Sequence, residues 1–215
     1  MLNRFLLLAC GVIGPVLFTL VAFVAGATRS GYSAWHAYVS MLSLGEGGWV
    51  MAANLVVGGL LLVAFAVGLR RRGYGWPSIL IGVAGAGLAI QGVFPADPGL
   101  GYPPGAPDGV PAVMSTSSAV HYLAGSIAGL ANATAAVLMA RRFGRDSRAA
   151  GWSRYLAVTA ALVFWLLVAL GFAGSDGPVL QGFAGAIQRV WILVALAWLA
   201  LLAVRLLRTA VPAEA

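Results

Sequence analysis

Charge cuts this chain into apolar stretches, and no other feature constrains its fold as strongly. Uncharged runs cover residues 5–28, 47–69, 73–96, 109–140 and 155–175, and a sixth apolar stretch, 183–207, is broken only by Arg189 and Arg205. A helix that crosses a bilayer needs about 20 predominantly apolar residues at about 1.5 Å of rise each. The pattern predicts spans at residues 5–27, 49–69, 77–94, 119–140, 154–173 and 183–207. Hydrophobic residues make up 61% of the chain and charged residues 9%. Soluble domains sit near about 45–50% and about 25%. The expected fold is therefore all-α: a polytopic integral membrane protein, one transmembrane domain over residues 1–215, built as a six-transmembrane-helix bundle.

Six spans bring both termini to one side. Arg4, Arg70, Arg71, Arg72, Arg141, Arg142, Arg145, Arg148, Arg154, Arg205 and Arg208 fall on that side, which is 11 of the 13 basic residues. Arginine excess marks the cytoplasmic face, so the termini are expected to be cytoplasmic and the protein to be multi-pass in the cell membrane. This distribution accounts for most of the net charge of +7, and nucleic acid is excluded as a partner. The apolar run before Ala25-Gly26-Ala27 is longer than the roughly 7–15 residues of a signal peptide, so the first span is expected to stay uncleaved. The single cysteine, Cys10, excludes an intrachain disulfide and a cysteine-based zinc site.

Polar residues collect at the end with few arginines. Residues 92–105 hold four prolines and four glycines in fourteen positions, which forbids regular helix and predicts a loop at the mouth of the third span. Asp97 stands at that boundary. Gln91 lies about one turn earlier, and His121 opens the fourth span on a face that continues through Gly125, Ala128 and Asn132. Gln188 and Arg189 stand at the start of the sixth span. Arg189 to Arg205 is 16 residues, about 24 Å, which is short of a hydrocarbon core about 30 Å thick. Arg205 can snorkel, as Arg208 follows one turn later. An arginine at the membrane edge seeks a partner. Arg189 either binds an anionic group or pairs with Asp97 or Asp176. Small residues in the third span (Gly82, Gly85, Gly87) and the fourth (Gly125, Gly129) predict close helix packing.

Several of these residues carry a resemblance. The strings RSGYS at 29–33 and VSMLSLG at 39–45, Gly48-Trp49, Asn54, Gly58-Gly59, and GVFPAD at 92–97 followed by His121 are similar to motifs of the domain-of-unknown-function-998 family. Gln188-Arg189 and the Arg205 to Arg208 end also resemble it. The likeness runs over nearly the whole chain. It implies a six-span bacterial membrane protein and no established reaction. Members often carry a glutamate after the serine of the second string, where this chain has Met41.

The leading functional expectation is an outward-facing polar pocket that binds a membrane lipid head group or another anion. Arg29, Gln91, Gln188 and Arg189 would be the ligand contacts, and Asp97 and His121 would orient or titrate. A second expectation is a hydrolase acting on a lipid at the outer leaflet, with His121 as general base and Asp97 as its orienting carboxylate. A third is a small-molecule transporter, which the scarcity of polar residues at span centres disfavours. No metal site is expected, and the residues name no cofactor and no oligomeric state.

Overall fold

The computed structural model describes residues 4–173, 180 and 182–209. Six helices account for most of them: α1 (Arg4–Thr28), α2 (Trp49–Arg70), α3 (Gly75–Val93), α4 (Thr116–Phe143), α5 (Ala150–Ala173) and α6 (Ala184–Arg208). All six are long and apolar enough to cross a membrane, and the described residues contain no strand. Helix α4 starts three residues before the expected 119. The cause is local: the Ser115 hydroxyl accepts from the Ser118 amide and caps the first turn.

Each helix packs on its neighbours in sequence, and α6 closes the ring by packing on α1 as well as on α5. The α2–α3 crossing is the tightest. A Cβ on Gly59 would stand 2.4 Å from the Gly85 carbonyl oxygen, and one on Gly85 would stand 2.7 Å from that of Gly59. In a bilayer, lipid tails are as apolar as leucine, so close backbone approach is what holds such a pair. Polar ties cross the bundle too. The Trp198 indole donates to Asn132 Oδ1 at 2.9 Å, and the Asn132 amide donates to the Ala195 carbonyl at 3.2 Å. Asn54 donates to the Phe18 carbonyl at 3.1 Å.

The two halves of the ring differ. Towards the arginine-rich end the interior is filled by Leu8, Phe65, Leu69, Met139, Leu156, Trp198, Leu199 and Leu202. In the other half the interior holds a cavity of about 540 Å³, lined from all six helices. Its roof is the α1–α2 connection. Residues 37–42 of that connection are all buried, and a short 3-10 turn, Val39–Ser43, dips between the helix ends. Outside, large apolar side chains such as Phe23, Leu60, Leu123, Val158 and Trp165 are exposed around the bundle. Such a surface suits a hydrocarbon solvent, not water.

Candidate functional site

The arginine-poor end is built by polar side chains that grip backbone. Arg189, on the second turn of α6, donates from Nη1 to the carbonyls of Ala34 (2.6 Å), Gly185 (3.0 Å) and Ala37 (3.3 Å). Its Nη2 donates to the Tyr32 hydroxyl, which in turn donates towards the carbonyls of Ala37 and Tyr38. Burial pushes the Tyr32 phenol above its ordinary value, with Arg189 opposing that rise. Gln188 beside it accepts from the Val39 amide at 2.6 Å. The first amides of α6 join in: Gly185 donates to the His36 carbonyl and Ala186 to the Trp35 carbonyl, both at 3.1 Å. Arg29 holds the far end of the same loop through the Glu46 carbonyl. The roof is thus strapped to α6 by its backbone carbonyls.

This placement gives both arginines backbone partners. Among the described residues, Arg189's partners are neutral and do not include Asp97. Asp176, its other expected partner, lies outside the described residues. A guanidinium carries five donors in a fixed fork, and at Arg189 these match converging carbonyls. Arg29 is likewise engaged with backbone.

Asp97 and His121 both sit at the α3–α4 junction, each with its own partners. The Asp97 carboxylate accepts from the Ser115 hydroxyl (2.6 Å) and the Ser115 amide (2.7 Å), and its own amide donates to the Ser118 hydroxyl at 3.2 Å. Hydrogen bonds from the Ser115 hydroxyl first, and its amide second, hold the carboxyl below its ordinary 3.8. Negative charge beside the start of α4 is favourable on its own account. His121 is 0% exposed. Its Nδ1 faces the carbonyls of Phe94 (2.8 Å) and Gln91 (3.2 Å), two acceptors, so Nδ1 carries the proton. It satisfies carbonyls left over at the end of α3. Nε2 is buried without a partner. The base-and-carboxylate pair expected for hydrolysis is not formed: Asp97 bonds serines and His121 bonds carbonyls.

What remains open to a ligand is the cavity. Phe18, Leu55, Leu62, Leu88, Leu167 and Trp191 give it an apolar wall. Polar groups cluster towards the roof, Tyr38, Ser40, Gln91, Tyr122 and Gln188, and Ser126 lies deeper. The Ser40 hydroxyl is buried and has no hydrogen-bond partner. The lining is buried or half-buried on α1, α2, α3 and α6. It is exposed along the facing stretches of α4 and α5, at Ser126, Leu130 (48%), Phe164 (42%) and Gly171. Among the helices, these four residues of α4 and α5 are the exposed part of the lining. Ser126 is ten residues into α4, about 15 Å below its start, at hydrocarbon depth. Of the residues expected to bind ligand, Gln91 and Gln188 line this cavity, and Arg29 and Arg189 do not. Tyr38 and Tyr122 also line it, and nothing in the sequence sets these two tyrosines apart. Among the described residues no group of three His, Cys, Asp or Glu is placed to hold a metal ion.

Helices of this length, an apolar exterior and a closed helical ring define a multi-pass membrane protein. The chain belongs to the family described as Protein of unknown function (DUF998), whose model matches residues 12–205. Comparison with curated proteins and with solved structures gives no match.

Proposed function

We propose that this protein binds a membrane lipid, taking one uncharged amphiphile from the bilayer into its hollow half. The apolar chain lies along the cavity wall, and a hydroxyl or carbonyl head meets the polar groups beneath the roof. The division of the cavity lining carries this reading: an apolar wall below, and Tyr38, Gln91, Tyr122 and Gln188 beneath the roof. Three further points support it. About 540 Å³ falls in the roughly 300–1,000 Å³ range of small-ligand sites. The exposed helical part of its lining lies on α4 and α5, on the side of the bundle where lipid would stand. The cationic groups that would select an anion, Arg29 and Arg189, are engaged with backbone carbonyls. The positive-inside rule puts the arginine-rich end in the cytoplasm, so the cavity lies in the outer-leaflet half of the cell membrane.

A diacylglycerol with a photoreactive diazirine in one acyl chain tests this in membranes containing the protein. The expected crosslinks map to Ser126, Leu167 and Trp191. Gly171 belongs to the exposed part of the lining, and a Cβ there meets nothing within 4 Å. Gly171→Phe should therefore fold normally and lower labelling about tenfold, the change that goes with about 1.4 kcal/mol of lost contact. Labelling spread evenly over outward residues such as Phe23 and Val158, or undiminished in Gly171→Phe, overturns the proposal.

A further inference from the structure

The arginines at the other end are not equivalent. Arg72 donates to the Leu206 carbonyl at 3.3 Å. Arg205 lies over the rings of Phe143 and Trp152, 5.2 and 5.1 Å from their centroids. Arg142 donates to the Gly73 carbonyl at 3.2 Å and covers the Tyr74 ring at 4.6 Å. The Arg141 and Arg145 side chains have no such partner among the described residues. Both line a groove of about 390 Å³ between the start of α3 and the end of α4. Pro77 and Leu138 supply its apolar floor, and Trp76, 70% exposed, stands at its edge. The one described acidic residue at this end, Asp146, accepts from the Arg148 amide at 2.9 Å.

We propose that this groove is a binding site for the head group of an anionic phospholipid. The phosphodiester lies between Arg141 and Arg145, and Arg142 is held in place behind them by Gly73 and Tyr74. Guanidinium groups match phosphate oxygens in charge and geometry. The apolar floor and the exposed indole fit the glycerol backbone and first methylenes of a lipid, because an indole ring settles where one side is wet and the other apolar. A free phosphate ion would gain nothing from Pro77, Leu138 and Trp76, so the lipid is the better match. Basic pockets between helix ends are a recurrent way of holding acidic lipids. This site is remote from the central cavity and does not depend on what that cavity binds.

The test is native mass spectrometry of the full chain, released from nanodiscs of equal phosphatidylglycerol and phosphatidylcholine. The wild type is expected to retain phosphatidylglycerol preferentially. Retention should fall about five-fold for each arginine removed in Arg141→Gln and Arg145→Gln. Trp76→Ala should weaken it further. Arg154→Gln and Arg208→Gln, at the same end and outside the groove, should leave it unchanged. Both groove arginines are exposed, so melting temperatures should match the wild type. Equal retention of the two lipids overturns the proposal, as does an equal loss in the control variants, which would mean diffuse attraction. Displacement of the lipid by millimolar inorganic phosphate would also overturn it, as that makes the groove an ion site.

Discussion

The two halves of this bundle are held by different means. At the arginine-rich end the ring interior is packed with side chains, and the loops are short. At the other end the interior is hollow, and the structure is held by Arg189, Gln188, Arg29, Asp97 and His121 gripping loop backbone. A hollow half gives up packing contacts that would otherwise stabilise it. Backbone straps substitute for them, and they leave the interior free. The lesson is that a polar residue at a membrane edge can owe its place to a void that it helps to frame. Such a residue need not touch whatever fills the void.

The sharpest way to break this contrast is a truncation in the filled half. Trp198 is fully buried and holds Asn132. Trp198→Ala should cost about 3–5 kcal/mol, because the surrounding helices cannot collapse into the space. The same truncation of Ile192, which borders the cavity, should cost far less, since its neighbours already face open space. Thermal unfolding in detergent measures both. Similar losses at the two positions would mean that the hollow half is as tightly packed as the other.

A smaller, local effect is expected at the roof. Arg189→Ala strands the carbonyls of Ala34, Ala37 and Gly185 together with the Tyr32 hydroxyl. Hydrogen bonds from charged groups contribute about 1.5–3 kcal/mol. Hydrogen exchange over residues 32–42 should quicken while α2 and α5 near the arginine-rich end stay protected. Arg189→Lys should not restore the roof, as one ammonium cannot reproduce the fork. Quickened exchange through the whole chain would show that the halves unfold as one unit.

These residues also mark how far the sequence could be read. The helices were legible because a bilayer demands length and apolarity, and both are local properties of the chain. The α2–α3 crossing was partly legible too, since Gly85 has no other purpose in an apolar run. The partners of Arg189 were not. The sequence presents it as a charge seeking a charge, whereas its partners are carbonyls of a loop more than 140 residues earlier. Carbonyls belong to every residue and leave no mark in composition. The cavity was hidden for a related reason. A void is the absence of side chains at one height, summed over six helices, and no single segment records it.

The smallest expected effect sharpens the comparison through pH. Asp97 is held below its ordinary 3.8 by Ser115, so its folded value lies under its unfolded one. The sign follows. The contribution is fully present above the unfolded value, and it fades as pH falls through the folded value, because protonation removes the acceptor that Ser115 needs. A carboxylate beside a helix start contributes about 0.3–1 kcal/mol. Acidification should therefore loosen the first turn of α4 by that small amount, and Asp97→Asn should show the loss already at neutral pH, with little further change in acid. Hydrogen exchange of the amides at 115–119, followed from pH 6 to pH 3 with correction for intrinsic rates, reads this directly. The filled half has one described carboxylate, Asp146, which is exposed and accepts from the Arg148 amide in the 3-10 turn Ser147–Ala149 ahead of α5. Its exchange should hold steady over the same range. If α5 and the C-terminal half of α4 loosen in step with residues 115–119, then Asp97 secures the whole bundle, and the division into a packed half and a strapped half is wrong.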